Sequence, residues 1–520
     1  MIQIYFHTIK NLKLKQILFR FYYSMNILDK KRLISFVPKI SYPLNIQESL
    51  RSYVSYYEEN TFIFLNKSFT FGSKINWNYK GYGLLWVYNL NYFEFLLQPN
   101  LDKEKGLRLI NDFIFQYKEI KVGYDSYPVS LRNVFWIKFL TKHSINDERI
   151  DAFLFSQYNI LLHNLEYHLL GNHLLENAFS LLIGAYYFRE LKIYKKACML
   201  LQKELNEQIL NDGGHFELSP MYHQILLYRL LDCINIILNN KWIEDDLFLL
   251  LTSKATLMLS WLQNIVLGSG LVPLINDSTN LVAPFSNDLF DYAKRLNIKF
   301  QLIPFSDSSY RLFSGITFKC IMDIGGIIPK YQPGHAHADT FNFVLEINGK
   351  LVLVDTGCST YETGAIRDFE RGTTAHNTVS FNEENSSQIW GSHRVGKKAN
   401  VKIIQESYNQ IIVQHDGFKN LGIIHQRSFY QIDGSTITII DEVIGNNDIK
   451  GIAYFHLDQE ITDIQIESNH VFLPVCKIIF DKPEEIVIKQ FSQALGFNQR
   501  VDSICICVRF QKKLTTSIEL

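Results

Sequence analysis

The stretch PGHAHADTFNFVLEINGKLVLVDTG, residues 333–357, decides how the second half of this chain folds. Phe341, Phe343, Leu345 and Ile347 alternate with Asn342, Val344 and Glu346, the period of a strand. Asn348-Gly349 follows as a tight hairpin turn, because both residues tolerate positive φ, and LVLVD returns as a second strand. Ahead of the first strand, His335, His337 and Asp339 stand at alternate positions, so an extended segment turns them the same way. The hairpin brings Asp355 back towards them, and TTAHNTV adds His376. Imidazoles and carboxylates that converge at a sheet end can bind a divalent metal, move protons, or do both.

The period of two continues through 315–324, 400–414, 423–432, 435–443, 451–457 and 470–480, with a second hairpin signal at Asp433-Gly434. An antiparallel β-sandwich is expected there. Upstream the period is helical, with apolar residues every three to four positions in 104–120, 131–142, 151–170, 173–190, 196–210, 220–240 and 246–266. Short breaks such as Leu170-Gly171-Asn172 separate these runs. A series of helical hairpins implies a helical array or an α/α toroid, and the lack of a fixed repeat disfavours a regular solenoid. Pro273, Pro284 and Pro304 mark 271–309 as the crossover between the halves.

Fifty-two basic and 52 acidic residues cancel, so an anionic ligand must be held by a local patch, and nothing global points to nucleic acid. Seven cysteines, an odd number without a CxxC pair, imply free buried thiols. The N-terminus shows no secretory signal pattern and no apolar run long enough to span a bilayer. From residue 1 to Arg32, however, seven basic residues face one acid, Asp29. Residues 4–24 therefore read either as a basic amphipathic segment resting on a membrane surface or as helix laid against the main body. The expected location is cytoplasmic or inner-membrane-associated, with the periplasm as the alternative.

Three further clusters carry chemistry. In GNHLLEN (171–177), Glu176 follows His173 by three residues and would orient its imidazole, with Asn172 beside it. In DGGHFELSPMYHQ (212–224), Ser219 caps a helix, Pro220 opens it, and Tyr222 falls in the first turn. Trp86, Tyr88, Asn89 and Arg132, from the early helices, are of the types that stack on sugars and hold carboxylates.

Taken with WVYNLNYF, YPVSLRN, LVDTG and TTAHNTV, these motifs resemble the heparinase II/III-like family of polysaccharide lyases, which includes alginate and oligoalginate lyases. Beyond the basic N-terminal segment (1–45), the resemblance implies an incomplete α/α toroid (46–290) and an antiparallel β-sandwich (291–520), with the active site in the cleft between the two. It implies β-elimination on an anionic, uronic-acid-containing polysaccharide. Asn172 and His173 would contact the uronate carboxylate. Tyr222 would act as acid, and on some substrates as base, while His335 would serve as a second proton-transfer group. Trp86, Tyr88, Asn89, Arg132 and Glu176 would support the substrate. His337, Asp355 and His376 would hold a structural Zn2+, and Asp339 would pair with Arg367 or Arg371. The basic N-terminus is more like that of members tied to bacterial surface-glycan synthesis, so editing of a surface polymer is one expected role. A non-catalytic glycan-binding or assembly protein, and a toroidal glycoside hydrolase, are the competing readings.

Overall fold

Wherever apolar residues recur at helical spacing, the computed structural model forms a helix. It describes residues 2–25, 29–244, 246–446 and 448–520. Two N-terminal helices, α1 (Ile2–Lys10) and α2 (Leu14–Ser24), come first. Then follow α3 (Leu84–Tyr92), α4 (Lys103–Phe115), α5 (Ser126–Lys142), α6 (Glu148–His163) and α7 (Gly171–Phe188). The series ends with α8 (Leu191–Gln208), α9 (Pro220–Asn239), α10 (Leu247–Ile265) and α11 (Ser286–Arg295).

An inner row of α3, α5, α7, α9 and α11 packs neighbour to neighbour, while α4 meets α6 and α8 meets α10 outside it. This is an incomplete α/α toroid. Helix α7 shows why the layers form: of its 18 residues only His173 is not buried. A helix apolar all round has to be enclosed by others, here α5, α6, α8 and α9. Gly184 permits that closeness, since a Cβ there would meet the Tyr158 ring at 2.2 Å. The crossover contributes structure of its own, because α11 lies within it and packs on α9.

The β half is a sandwich. One face is an eight-stranded antiparallel sheet that runs from Val401–Ser407, through Ile423–Ile432, Thr436–Gly445 and Lys513–Glu519, to Gln465–Glu467. The other is made of two four-stranded sheets, one containing Phe343–Ile347 and one containing Lys450–His456. A bridge between Leu353 and Leu457 joins these two. Phe343, Phe429 and Phe455 meet between the layers.

The deciding hairpin differs from its sequence reading in two ways. Strand Phe343–Ile347 is buried on both faces, so its alternation does not separate core from solvent. Phe341 lies outside the strand with φ 69°, a left-handed backbone for a bulky residue. Its carbonyl accepts from Arg427 Nη1 (2.8 Å), which also reaches the Asn377 carbonyl (2.7 Å). Arg427 thus ties the large sheet to the two loops that carry the opening histidines and His376. Its other nitrogens make a two-point pair with Asp441, from Nε (2.7 Å) and Nη2 (2.9 Å), with no solvent exposure. Burial alone would raise the Asp441 carboxyl, but Arg427, followed by His425, outweighs it and holds the group at about 2.

Removing one partner of such a pair leaves an uncompensated buried charge, a loss of about 3–5 kcal/mol. Arg427→Met is expected to lower the denaturant midpoint accordingly. Because the folded carboxyl is depressed, the pair's stabilisation is present above the ordinary aspartate range and is lost as pH falls towards about 2. Wild-type stability should therefore fall over that acid window, and Arg427→Met should lack this component of the fall.

Candidate active site

Three inner helices begin at one place. The first turns of α5, α7 and α9 carry Tyr127, Asn172-His173 and Tyr222, and all four side chains line a cleft of about 1430 Å³ between the toroid and the sandwich. Each start has a local cause. Ser219 Oγ accepts from the Tyr222 amide (3.3 Å), so the cap and Pro220 fix the beginning of α9 as its sequence predicts. Helix α7 begins instead on two residues with positive φ, Leu170 (64°) and Gly171 (57°). A Cβ on Gly171 would meet Glu217 Oε1 at 2.3 Å, so glycine is required for both conformation and space. Helix N-termini present unpaired N–H groups and partial positive charge, so this arrangement favours an anionic ligand.

Within the cleft the proton-transfer candidates lie together. The rings of Tyr222 and His335 are in contact, with centroids 4.0 Å apart and planes tilted by 32°, and Tyr222 Oη lies 3.2 Å from Tyr361 Oη. Burial pushes the Tyr222 phenol far above its ordinary range, so it is protonated at neutral pH. His335 Nε2 is 3.5 Å from both Asn172 Nδ2 and Glu217 Oε2. Glu217 holds Asn172 by two bonds, from the backbone amide (2.9 Å) and from Nδ2 (2.8 Å).

His173 is oriented by Glu166, not by Glu176. His173 Nδ1 donates to Glu166 Oε1 (3.0 Å), and Asn177 Nδ2 donates to the other oxygen (2.9 Å). Burial alone would lower the His173 pKa, but the Glu166 carboxylate beside it raises it above the ordinary histidine value. Glu176 is fully buried and accepts from Arg229 Nε (2.9 Å), so helical i,i+3 spacing named the wrong carboxylate. Arg229 itself lines the cleft with Nη1 free of any hydrogen bond.

Behind His335 stands Asp277, a residue of the crossover. Asp277 Oδ2 accepts from His335 Nδ1 (2.9 Å) and Oδ1 accepts from His337 Nε2 (2.9 Å), while Arg367 contacts both oxygens. Burial opposes ionisation here, but Arg367 outweighs it and keeps the carboxyl well below its usual range. A carboxylate only accepts, so each histidine must donate the nitrogen that faces it. That leaves His335 Nε2 as the lone pair towards the cleft and His337 Nδ1 as the lone pair on the far side. Asp277, His335 and His393 are also a group whose ligand atoms all lie within 4.8 Å of one another. Because the guanidinium of Arg367 already occupies the Asp277 carboxylate, this is an ion-paired support and not a cation site.

The expected metal ligands are brought together in part. His337 and His376 are fully buried with ring centroids 5.4 Å apart. His337 Nδ1 and His376 Nε2 have no hydrogen-bond partner. Asp355 is engaged: Oδ2 accepts from His376 Nδ1 (2.8 Å) and Asn342 Nδ2 (2.6 Å), and Oδ1 from the Gly357 amide. Asp339 pairs with neither Arg367 nor Arg371. Arg371 is spent on the carbonyls of Ala336, Gly391 and Arg394, and Asp339 Oδ2 lacks a partner.

Of the expected substrate contacts, Tyr88 and Asn89 line the cleft, with Tyr88 Oη donating to Asp125 (2.9 Å). Trp86 does not. It is fully buried among Phe64, Tyr79 and Tyr82, and its indole donates to the Lys67 carbonyl. Arg132 is fully buried too, donating to Gln157 (2.6 Å) and the Asn91 carbonyl over the Phe113 ring. Both belong to the toroid core. Four residues were missed: Asp277, Glu217 and Tyr361 have partners from distant segments, and Glu166 reaches His173 across the break before α7, so no helical spacing links the two. Glu217 alone sat inside a quoted motif.

Residues 86–295 match the heparinase II/III N-terminus and residues 298–515 the heparinase II/III-like C-terminal domain. The chain is 27% identical over 350 residues to a heparin-sulfate lyase of Bacteroides stercoris, covering 61% of this chain and 50% of that one. It is 24% identical over 366 residues to a heparin-sulfate lyase of Bacteroides thetaiotaomicron, covering 59% and 49%. It thus spans about half the length of these two relatives. A crystal structure of a heparinase III superposes with a TM-score of 0.65 at 17% identity, over 86% of this chain and 80% of the other, which shows a common fold. Since the two matched regions take in both the toroid and the sandwich, the chain belongs to the heparinase II/III-like family.

Proposed function

We propose that this protein is a polysaccharide lyase that cleaves a uronic-acid-containing glycan by β-elimination. The observation that carries this reading is the Tyr222–His335 ring contact at 4.0 Å, set beside Asn172 and His173 at the convergent helix starts. The C5 proton of a uronate is weakly acidic, and removing it moves charge onto the adjacent carboxylate. The His173 imidazole, held towards its protonated form by Glu166, and the amide of Asn172 are suited to balance that charge. His335 Nε2 has the lone pair to take the proton. As the C4–O bond breaks and a C4–C5 double bond forms, the Tyr222 phenol has the proton that the departing oxygen needs.

The two curated relatives are heparin-sulfate lyases, so a sulfated glycosaminoglycan is the first substrate to test and a bacterial surface polymer the second. The chemistry of the buried donors suits Zn2+: two imidazole nitrogens without partners among the described residues, one aspartate engaged behind His376, and one unpartnered oxygen on Asp339. His337 and His376, with Asp355, would hold such an ion, which would brace the loops beneath the cleft.

The full chain mixed with heparan sulfate and a panel of uronate polymers is expected to give unsaturated products, followed by ultraviolet absorbance. Tyr222→Phe should lower kcat by about 10²–10⁴-fold. Glycan binding with no turnover in the wild type would instead mark a binding protein.

His337→Ala should lose bound metal and lower the melting temperature, whereas His335→Ala should keep metal and lose turnover. Equal metal loss in both would contradict this division, and metal analysis by mass spectrometry reads it directly.

The raised His173 pKa gives a signed pH effect. Activity that needs the imidazolium falls as pH rises through the folded pKa, so Glu166→Gln should move that alkaline limb to lower pH. An unmoved limb in the kcat/KM profile would assign it to another group.

A further inference from the structure

Helix α2 is built inside out. Its one fully buried residue is polar: Gln16, whose Nε2 donates to the carbonyls of Leu169 (3.1 Å) and Tyr331 (3.2 Å). The opposite side carries Leu14, Leu18 and Phe21, spaced to form one stripe, and these are 70%, 58% and 66% exposed. Helix α1 continues the surface with Tyr5, Phe6 and Ile9, all exposed, Phe6 at 63%. Scattered apolar residues on a surface need no explanation, but rows of exposed apolar residues on two consecutive helices do.

These helices are firmly seated, so the face is held in place. Tyr23 Oη donates to the Leu165 carbonyl (2.6 Å) and Lys13 pairs with Glu207, which anchors α2 to the toroid. Thr8 Oγ1 donates to the Val395 carbonyl (3.1 Å), and Tyr5 packs edge-on against Trp390 at 4.9 Å, which anchors α1 to the β half. Helix α2 also shares the cleft wall, through Arg20 and Tyr23. The segment precedes both regions that match the family, which begin at residue 86.

We infer that the outer face of α1 and α2 docks on an anionic lipid surface and sets the cleft mouth beside it. Three observations select this occupant. The rim is basic, since Lys10 is exposed beside the apolar stripe, Lys15 is exposed with its Nζ 3.4 Å from the centre of the Tyr167 ring, and no acidic residue precedes Asp29. Apolar side chains entering the acyl boundary with lysines at the headgroups is the geometry of an interfacial helix. Among the described residues, no helix is long and apolar enough to cross a membrane, so the contact lies in the plane of the interface. A second copy on the same face would bring two basic rims together with no acidic residue of α1 or α2 to offset them, whereas anionic headgroups complement the rim. The inference does not depend on the reaction carried out in the cleft.

The test uses the full chain and vesicles of phosphatidylcholine, with or without phosphatidylglycerol, in a co-sedimentation assay. Binding to the anionic vesicles is expected to exceed that to pure phosphatidylcholine at least tenfold and to weaken as salt rises. Leu18→Glu with Phe21→Glu should reduce it at least tenfold while the melting temperature stays unchanged, because both residues are exposed. Lys10→Gln with Lys15→Gln should abolish the preference for anionic vesicles even if the first variant misfolds. No binding to either vesicle, or equal binding by all variants, would overturn the inference. So would a wild-type dimer in sedimentation that Leu18→Glu with Phe21→Glu dissolves, which would give the face to a second copy.

Discussion

One buried carboxylate holds the working parts of this molecule in register. Asp277 lies on the crossover that leaves the toroid, yet its two oxygens are divided between His335 and His337 of the β half, with Arg367 balancing its charge. An unpaired charge at full burial would be prohibitive, so the three partners and the carboxylate require one another. The crossover is thereby bound to the sandwich, and the tautomers of two histidines are fixed at once. His335 turns its lone pair to the cleft, and His337 turns its own away, towards His376.

The toroid contributes the complementary half. Three inner helices begin at the same wall, so partial positive charge and first-turn side chains converge on the space that His335 faces. Each first turn is held differently: α5, which has no side-chain cap, by bonds between Ser126 and Asn164, α7 by a glycine entry braced by Glu217, and α9 by a serine cap with proline. None of these side chains can assemble the site without the crossover. The sandwich core, tied to the histidine loops through Arg427, completes the frame.

Much of this was legible in the sequence, for physical reasons that also mark its limits. Period and punctuation are local properties, so the helices fall largely where apolar spacing placed them and each run read as strand holds at least one, although the long strands Glu485–Gly496, Gln499–Gln511 and Lys513–Glu519 lie outside those runs. Ser219-Pro220 foretold the start of α9. Partner choice is not local. The spacing of Glu176 to His173 was correct for one helix face, but α7 is enclosed on every side, and Arg229 from α9 claims that carboxylate. Trp86 and Arg132 looked like sugar-binding groups by residue type, while burial assigns them to the core. Asp277 stood in a segment read as connection, with no spacing to link it to histidines nearly sixty positions away. The alternation through HAHAD suggested one shared direction; instead one carboxylate draws two of its side chains and leaves Asp339 apart.

Bond-breaking by elimination, as opposed to attack by water, is the central claim, and isotope labelling tests it most directly. The full chain would be incubated with a uronate polymer that it cleaves, in water enriched in heavy oxygen, and the product ends weighed by mass spectrometry. Elimination adds no water across the broken bond, so the account predicts unlabelled, unsaturated ends. Saturated ends carrying the heavy isotope would show hydrolysis and contradict it.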